Sequence, residues 1–95
     1  MTATQVHGTC DPRFEEVKRE FEKNFAEREE VGASVCLSVN GETLVDLWGG
    51  MANPETNDPW QEDTISIVFS CSKAATAICA HILIDRGELD PEALV

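Results

Sequence analysis

Apolar side chains recur at Phe14, Val17, Phe21 and Phe25, three or four positions apart. That spacing sets all four on one stripe of an α-helix. Glu15, Glu16, Glu20, Glu22 and Glu27 fall on the other faces with Lys18, Arg19 and Lys23, which reads as a solvated surface. The pattern predicts an amphipathic helix entered at Asp11-Pro12, with Asp as N-cap and Pro at the first helical position, and ended by Gly32. Residues 1–10 show no period and read as a loose lead. From Ala33 the period becomes two: Ala33, Val35, Leu37 and Val39 alternate with Ser34, Cys36 and Ser38, predicting a strand. Asn40-Gly41 signals a type I′ hairpin turn, and "ETLVDLWGG" then runs back as the second strand.

Gly49-Gly50 and "ANPETNDPW" read as a loop, and "DTISIVF" as a short strand or extended entry. From Ala74 to Ile84 only Thr76 and His81 are polar. A helix apolar on nearly every face expects to be surrounded, so a buried helix is predicted to start at Ser70 and to be capped by Gly87. One amphipathic helix and a hairpin can cover only part of it. A second helix start, Asp90-Pro91, stands just before the last residues. Both features predict a portion of a larger domain.

The chain has 95 residues and a net charge of −11. The seven basic residues, Arg13, Lys18, Arg19, Lys23, Arg28, Lys73 and Arg86, form no stripe, which disfavours nucleic acid and anionic membrane surfaces as partners. No apolar run reaches membrane-spanning length, and the first residues lack the basic and apolar regions of a secretory signal. Cys10, Cys36, Cys71 and Cys79 show no short paired spacing. They read as reduced thiols, and the expected location is cytoplasmic.

Against this background one lysine stands out. Lys73 lies one helical turn after Ser70 at the mouth of the apolar run, and residues three apart on a helix share a face. A serine hydroxyl becomes a nucleophile when a base takes its proton. A lysine can serve if burial or a nearby cation disfavours its charge, and the apolar helix promises burial. The helix N-terminus adds a dipole that disfavours an ammonium and N–H groups able to hold an oxyanion. The set fits acyl transfer through a covalent acyl-serine, although a serine three residues before a lysine also arises by chance. Ser72 is one residue from Lys73, so their side chains diverge. Cys71 and the i, i+2 pair Cys79 and His81 read as packing residues, His81 as buried and hydrogen-bonded. His7 with Cys10 is a weak metal spacing in a tail. Trp48 and Trp60 read as packing residues, Trp60 being the better candidate for a pocket wall. No metal or cofactor is implied.

The stretch "VFSCSKAATAICAHILIDRGELDPEALV" resembles the S-x-x-K region of serine hydrolases related to class C β-lactamases, most closely the family VIII carboxylesterases. The likeness runs back through "VGASVCLSVNGETLVDLWGGMANPETNDPWQEDT" and "HGTCDPRFEEVKREFEKNF". It implies an α+β architecture, the N-terminal part of a β-lactamase/penicillin-binding-protein-like fold with an amphipathic helix, an antiparallel hairpin and a buried nucleophile helix. It implies Ser70 as acylating nucleophile, Lys73 as its activating partner, and a small-molecule ester as substrate, with β-lactams left open. The family also uses a tyrosine, usually in Y-x-N, and a later strand beside the substrate; this chain has no tyrosine. Residues 1–95 are therefore expected to be the N-terminal segment of a single serine hydrolase domain, cut after the nucleophile helix. In that fold the N-terminal strands pair with C-terminal ones, so the segment is expected to self-associate or to need a complementing C-terminal portion. The alternative is an inactive truncated product or one half of a split hydrolase.

Overall fold

Val45, Leu47 and Gly49 alternate along one strand and face the same way, and the sheet is arranged around them. The computed structural model describes residues 4–94. Its elements run β1 (Val6–Cys10), a 3-10 turn (Pro12–Phe14), α1 (Glu15–Glu27), β2 (Gly32–Val39), β3 (Glu42–Asn53), β4 (Asp58–Pro59) and α2 (Cys71–Asp85). The strands are antiparallel in the order β1-β3-β2, with β4 also paired to β3. Compactness divides the chain into two units between Thr64 and Ile65. Helices and an antiparallel sheet together make the α+β class expected from the sequence. Among the described residues, no helix is long and apolar enough to cross a membrane.

In the first unit, Phe21 of α1 packs with Val45 and Leu47, all three buried, and Val6, Cys10, Phe14, Phe25, Ala33, Val35 and Leu37 pack around them. The helical stripe is therefore the inward face of α1, although Val17 remains exposed. Phe21 and Phe25 meet edge to face at 5.3 Å, a favoured aromatic geometry. The Asp11-Pro12 start is real but caps a 3-10 turn: Asp11 accepts the Arg13 N–H at 2.9 Å, and α1 follows from Glu15. The acidic residues of α1 are all exposed.

The helix ends before Gly32. Glu29 turns left-handed at φ 59°, and the Glu30 N–H bonds the Asn24 carbonyl at 3.1 Å. Gly32 instead opens β2 opposite Gly50. A Cβ on Gly32 would stand 2.1 Å from the Met51 carbonyl oxygen, so the residue is set by close strand approach. The Asn40-Gly41 turn forms as read, with φ 51° and 81°, the pair of positive angles a type I′ turn needs.

Two expectations are corrected. The N-terminal lead contains a strand, β1, whose register pairs Val6 with Gly49 and Cys10 with Val45. The "ANPETNDPW" stretch is a second hairpin, since β3 runs on to Asn53 and β4 returns against it. Of the two forms expected for 63–69, a short strand or an extended entry, the strand is absent. Ile65, Ile67, Val68 and Phe69 there are exposed.

Close approach and turn chemistry separate two glycines. Gly41→Ala strains a turn with open space around it and should cost about 1–2 kcal/mol; Gly32→Ala must part β2 from β3 and should cost more than about 3 kcal/mol. Urea unfolding checks the order, and equal losses would refute it. A second test concerns acid. The Arg28 hydrogen bond, then the Lys23 and Arg28 charges, hold the Glu20 carboxyl below its ordinary 4.5. A depressed folded pKa contributes stability above the unfolded value that is lost as pH falls through the folded one. Between about pH 7 and about pH 3 the melting temperature of wild type should fall more steeply below 4.5 than that of Glu20→Gln. Salt should shrink the difference, because the pair is exposed.

Candidate active site

The residues after Thr64 make a short irregular segment and α2. Ser70 is the N-cap of α2, and Lys73 is its third helical residue. The two stand in one first turn, with the Lys73 N–H bonded to the Ser70 carbonyl at 3.0 Å. At the other end Gly87 takes φ 74°, and its N–H bonds the Ile84 carbonyl while Glu88 bonds that of Leu83. That is a Schellman closure around the glycine predicted to stop the helix. Thr76 satisfies its hydroxyl on the Ser72 carbonyl at 2.9 Å.

The start of α2 departs from an ordinary serine cap. A capping serine has extended backbone and uses its hydroxyl to accept an N–H from the first turn. Ser70 has φ −68° and ψ −5°, already helical, and its side chain makes no capping bond. The first-turn donors go elsewhere. The N–H groups of Cys71, Ser72 and Lys73 bond the carbonyls of Val68, Phe69 and Ser70 at 3.1, 3.1 and 3.0 Å. Two consequences follow. The Ser70 hydroxyl is not consumed by the helix, and the three N–H groups expected to hold an oxyanion are already occupied.

The predicted burial is also corrected. α2 has no buried residue; Ile78, Ile82 and Leu83 are exposed, and so are Lys73, Cys71, Cys79 and His81. The physical reason is supply: a helix apolar all round needs neighbours on every side, and these residues do not provide them. Among the described residues Lys73 has no carboxylate within salt-bridge distance.

Elsewhere, Trp48 stacks on His7 with ring centroids 6.4 Å apart. Trp60 donates its backbone N–H to the Gly50 carbonyl, while its indole N–H is buried without a partner. With Thr4, Gln5 and His7, Trp60 lines a cavity of about 400 Å³, so it is a pocket wall, though of a pocket in the first unit. A larger groove of about 560 Å³ runs between α1 and β2 over Val17, Phe21, Ala33 and Val35. Its lining also includes Glu16, Glu20, Asn24 and Ser34, and it lies in the first unit, away from Ser70 and Lys73 in sequence. No three His, Cys, Asp or Glu side chains converge among the described residues.

A family model described as Beta-lactamase matches residues 17–95. Esterase/beta-lactamase LipL of Mycobacterium tuberculosis (strain ATCC 25618 / H37Rv) is 40% identical over 91 residues, which is 96% of this chain and 21% of LipL. Esterase EstB of Burkholderia gladioli is 35% identical over 75 residues, 79% of this chain and 19% of EstB. Among solved structures, a family VIII carboxylesterase superposes with a TM-score of 0.89 at 39% identity, over 94% of this chain and 24% of the other. A penicillin-binding protein homolog from Caulobacter crescentus superposes with a TM-score of 0.82 at 38% identity, over 87% and 22%. The chain thus spans 21% and 19% of the length of these two curated relatives.

If the Ser70 hydroxyl is uncommitted, removing it should hardly touch the helix. Ser70→Ala should cost less than about 0.5 kcal/mol, where loss of a working serine cap costs about 1 kcal/mol. Circular dichroism melting measures the difference, and a full cap-sized loss would contradict the geometry.

Proposed function

We propose that this chain, which belongs to the Beta-lactamase family, carries the nucleophile of a serine esterase acting on short acyl esters. The observation that carries the reading is the Ser70 hydroxyl, left free of capping duty one turn from Lys73. The names of LipL and EstB, both esterases, and the family VIII carboxylesterase neighbour support the choice of an ester over other acyl donors.

In this reaction the Ser70 Oγ attacks the ester carbonyl carbon while the Lys73 Nζ accepts its proton. The tetrahedral species collapses, the carbon–oxygen bond to the alcohol breaks, and the alcohol leaves with that proton. Water then attacks the acyl-serine and releases the acid. Lysine can play this part only where its charge is disfavoured. The exposed first turn of α2 does not supply that condition, so the reading requires polypeptide over α2.

That requirement favours a second, narrower reading: the 95 residues supply nucleophile and base, and a complementing portion supplies the rest of the site. Its support is the exposure of Ile78, Ile82 and Leu83 on α2, together with a composition that includes no tyrosine. The name of LipL, Esterase/beta-lactamase, makes a β-lactam ring the second electrophile to offer, because attack on a cyclic amide would use the same two side chains.

A serine-directed fluorophosphonate, read by mass spectrometry, tests the site. It should modify Ser70, Ser70→Ala should abolish the modification, and Lys73→Ala should slow it at least about 100-fold. Modification that persists in Ser70→Ala would overturn the assignment. Modification seen only after a family-length C-terminal portion is added would select the complementation reading.

A further inference from the structure

The four asparagines, Asn24, Asn40, Asn53 and Asn57, differ in what their surroundings leave free. An asparagine loses its side-chain amide when the backbone nitrogen of the next residue attacks its Cγ. That attack needs an unheld side chain, a next-residue N–H able to give up its proton, and room for the two to meet. Asn24 lies within α1, and its Oδ1 accepts an Arg28 N–H at 2.9 Å; the N–H after it, that of Phe25, is directed back along the helix. Asn53 precedes Pro54, whose nitrogen has no proton, and its Oδ1 accepts the Glu55 N–H at 3.0 Å. Asn57 precedes Asp58, whose carboxylate opposes a second negative charge developing on its own nitrogen.

Asn40 has none of these restraints. It opens the two-residue turn between β2 and β3 and is exposed, as is Gly41. The adjoining side-chain bond joins the hydroxyls of Ser38 and Thr43, leaving the Asn40 amide without a partner among the described residues. No backbone bond outside the strands holds the Gly41 N–H there. A Cβ on Gly41 would meet nothing within 4 Å. Glycine crosses between positive and negative φ at little cost, so the pair can leave its turn angles. The rung they close, Val39 with Glu42, is the last of the β2–β3 ladder, where a hairpin opens most easily.

The geometry points to Asn40 as a self-modification site, at which the chain deamidates through a cyclic imide without an enzyme. Hydroxide removes the Gly41 amide proton and the nitrogen attacks the Asn40 Cγ. The Cγ–Nδ2 bond breaks, and ammonia leaves with a proton from water. Water then opens the imide. Cleavage at Cγ gives aspartate; cleavage at the main-chain carbonyl gives isoaspartate, with the peptide rerouted through the side chain. Either product adds one negative charge to a chain already at −11. Isoaspartate also adds a backbone atom to a turn that requires positive φ at both residues, and so disturbs the end of β3. None of this involves Ser70.

The 95-residue chain is aged at mildly alkaline pH, and its peptides are read by mass spectrometry. Asn40 should convert at least about tenfold faster than Asn24, Asn53 or Asn57. Hydroxylamine, which cleaves cyclic imides, should cut between residues 40 and 41. An isoaspartate carboxyl methyltransferase with a labelled methyl donor should label the aged chain but not Asn40→Gly, whose turn is retained. The Asn40 rate should lie within about 30-fold of that in a synthetic peptide of residues 36–45, because the hairpin tip opens readily. A slower rate would show that the turn protects the residue and would overturn the inference. So would equal conversion at Asn57, label surviving in Asn40→Gly, or Gly41→Ala converting at the wild-type rate. Ser70→Ala should age as wild type does; slowing there would make the reaction an activity of the site and overturn the uncatalysed route, leaving the reading of Ser70 to its own test.

Discussion

Everything in the first unit depends on β3. It is the one strand to which β1, β2 and β4 all pair, and it contributes the fully buried Val45 and Leu47. Each of those side chains is worth about 1.5–3 kcal/mol in apolar burial, and Phe21 reaches them only because α1 lies on the inward face of that strand. The partners crowd β3 so closely that two of them present glycine where they cross it. Gly8 of β1 stands over the Asp46 carbonyl, and Gly32 of β2 over that of Met51; a Cβ would come within 1.9 and 2.1 Å of those oxygens. A sheet this tight fixes its own register, because a slip of one residue would bring a side chain against a carbonyl.

The parts legible in the sequence were those whose signal is local. The Phe14, Val17, Phe21 and Phe25 stripe, the Asn40-Gly41 turn and the Gly87 stop each follow from a few neighbouring residues, and each has a physical cause that acts over that range. β1 escaped because "VHGTC" carries neither alternation nor a run of β-formers; it is a strand because β3 offers it hydrogen bonds, a long-range cause. The sequence reads Gly32 as a helix stop, but its lack of a side chain serves the strand crossing. At the site, the Ser70 and Lys73 spacing was plain from residue type alone. The left-handed backbone before them was not, since Phe69, at φ 47°, is not a turn-forming residue. Burial of α2 was the reading most dependent on context, and the 95 residues do not supply the context.

The two units differ in what their polar and apolar groups lack. In the first, apolar residues find each other, and the exposed acids of α1 are partly neutralised by Arg19, Lys23 and Arg28. In the second, the N–H groups of Cys71, Ser72 and Lys73 and the carbonyls of Ile82, Leu83 and Ile84 are bonded, while Ile78, Ile82 and Leu83 remain exposed. Such a helix is well formed as backbone and unfinished as packing. Packing is the part of a fold that long-range chain supplies, and each of the two curated relatives has about four-fifths of its length beyond the region matched here.

This imbalance bears directly on the chemistry. Serine activation by lysine needs two things of different origin. One is geometric: hydroxyl and amine on one turn, with the hydroxyl unspent. The entry turn of α2 supplies it from within residues 68–73. The other is dielectric: an environment in which the amine is not held charged by water. No residue within the turn can create that, because it is a property of whatever covers the helix. Covering Ile78, Ile82 and Leu83 would also bring low dielectric toward the mouth of the helix where Lys73 sits. On the proposed reading of Ser70, hydrophobic completion of α2 and activation of that serine are one event, driven by the same removal of water. An esterase built this way would reach the full reactivity of its serine only when further polypeptide covers α2.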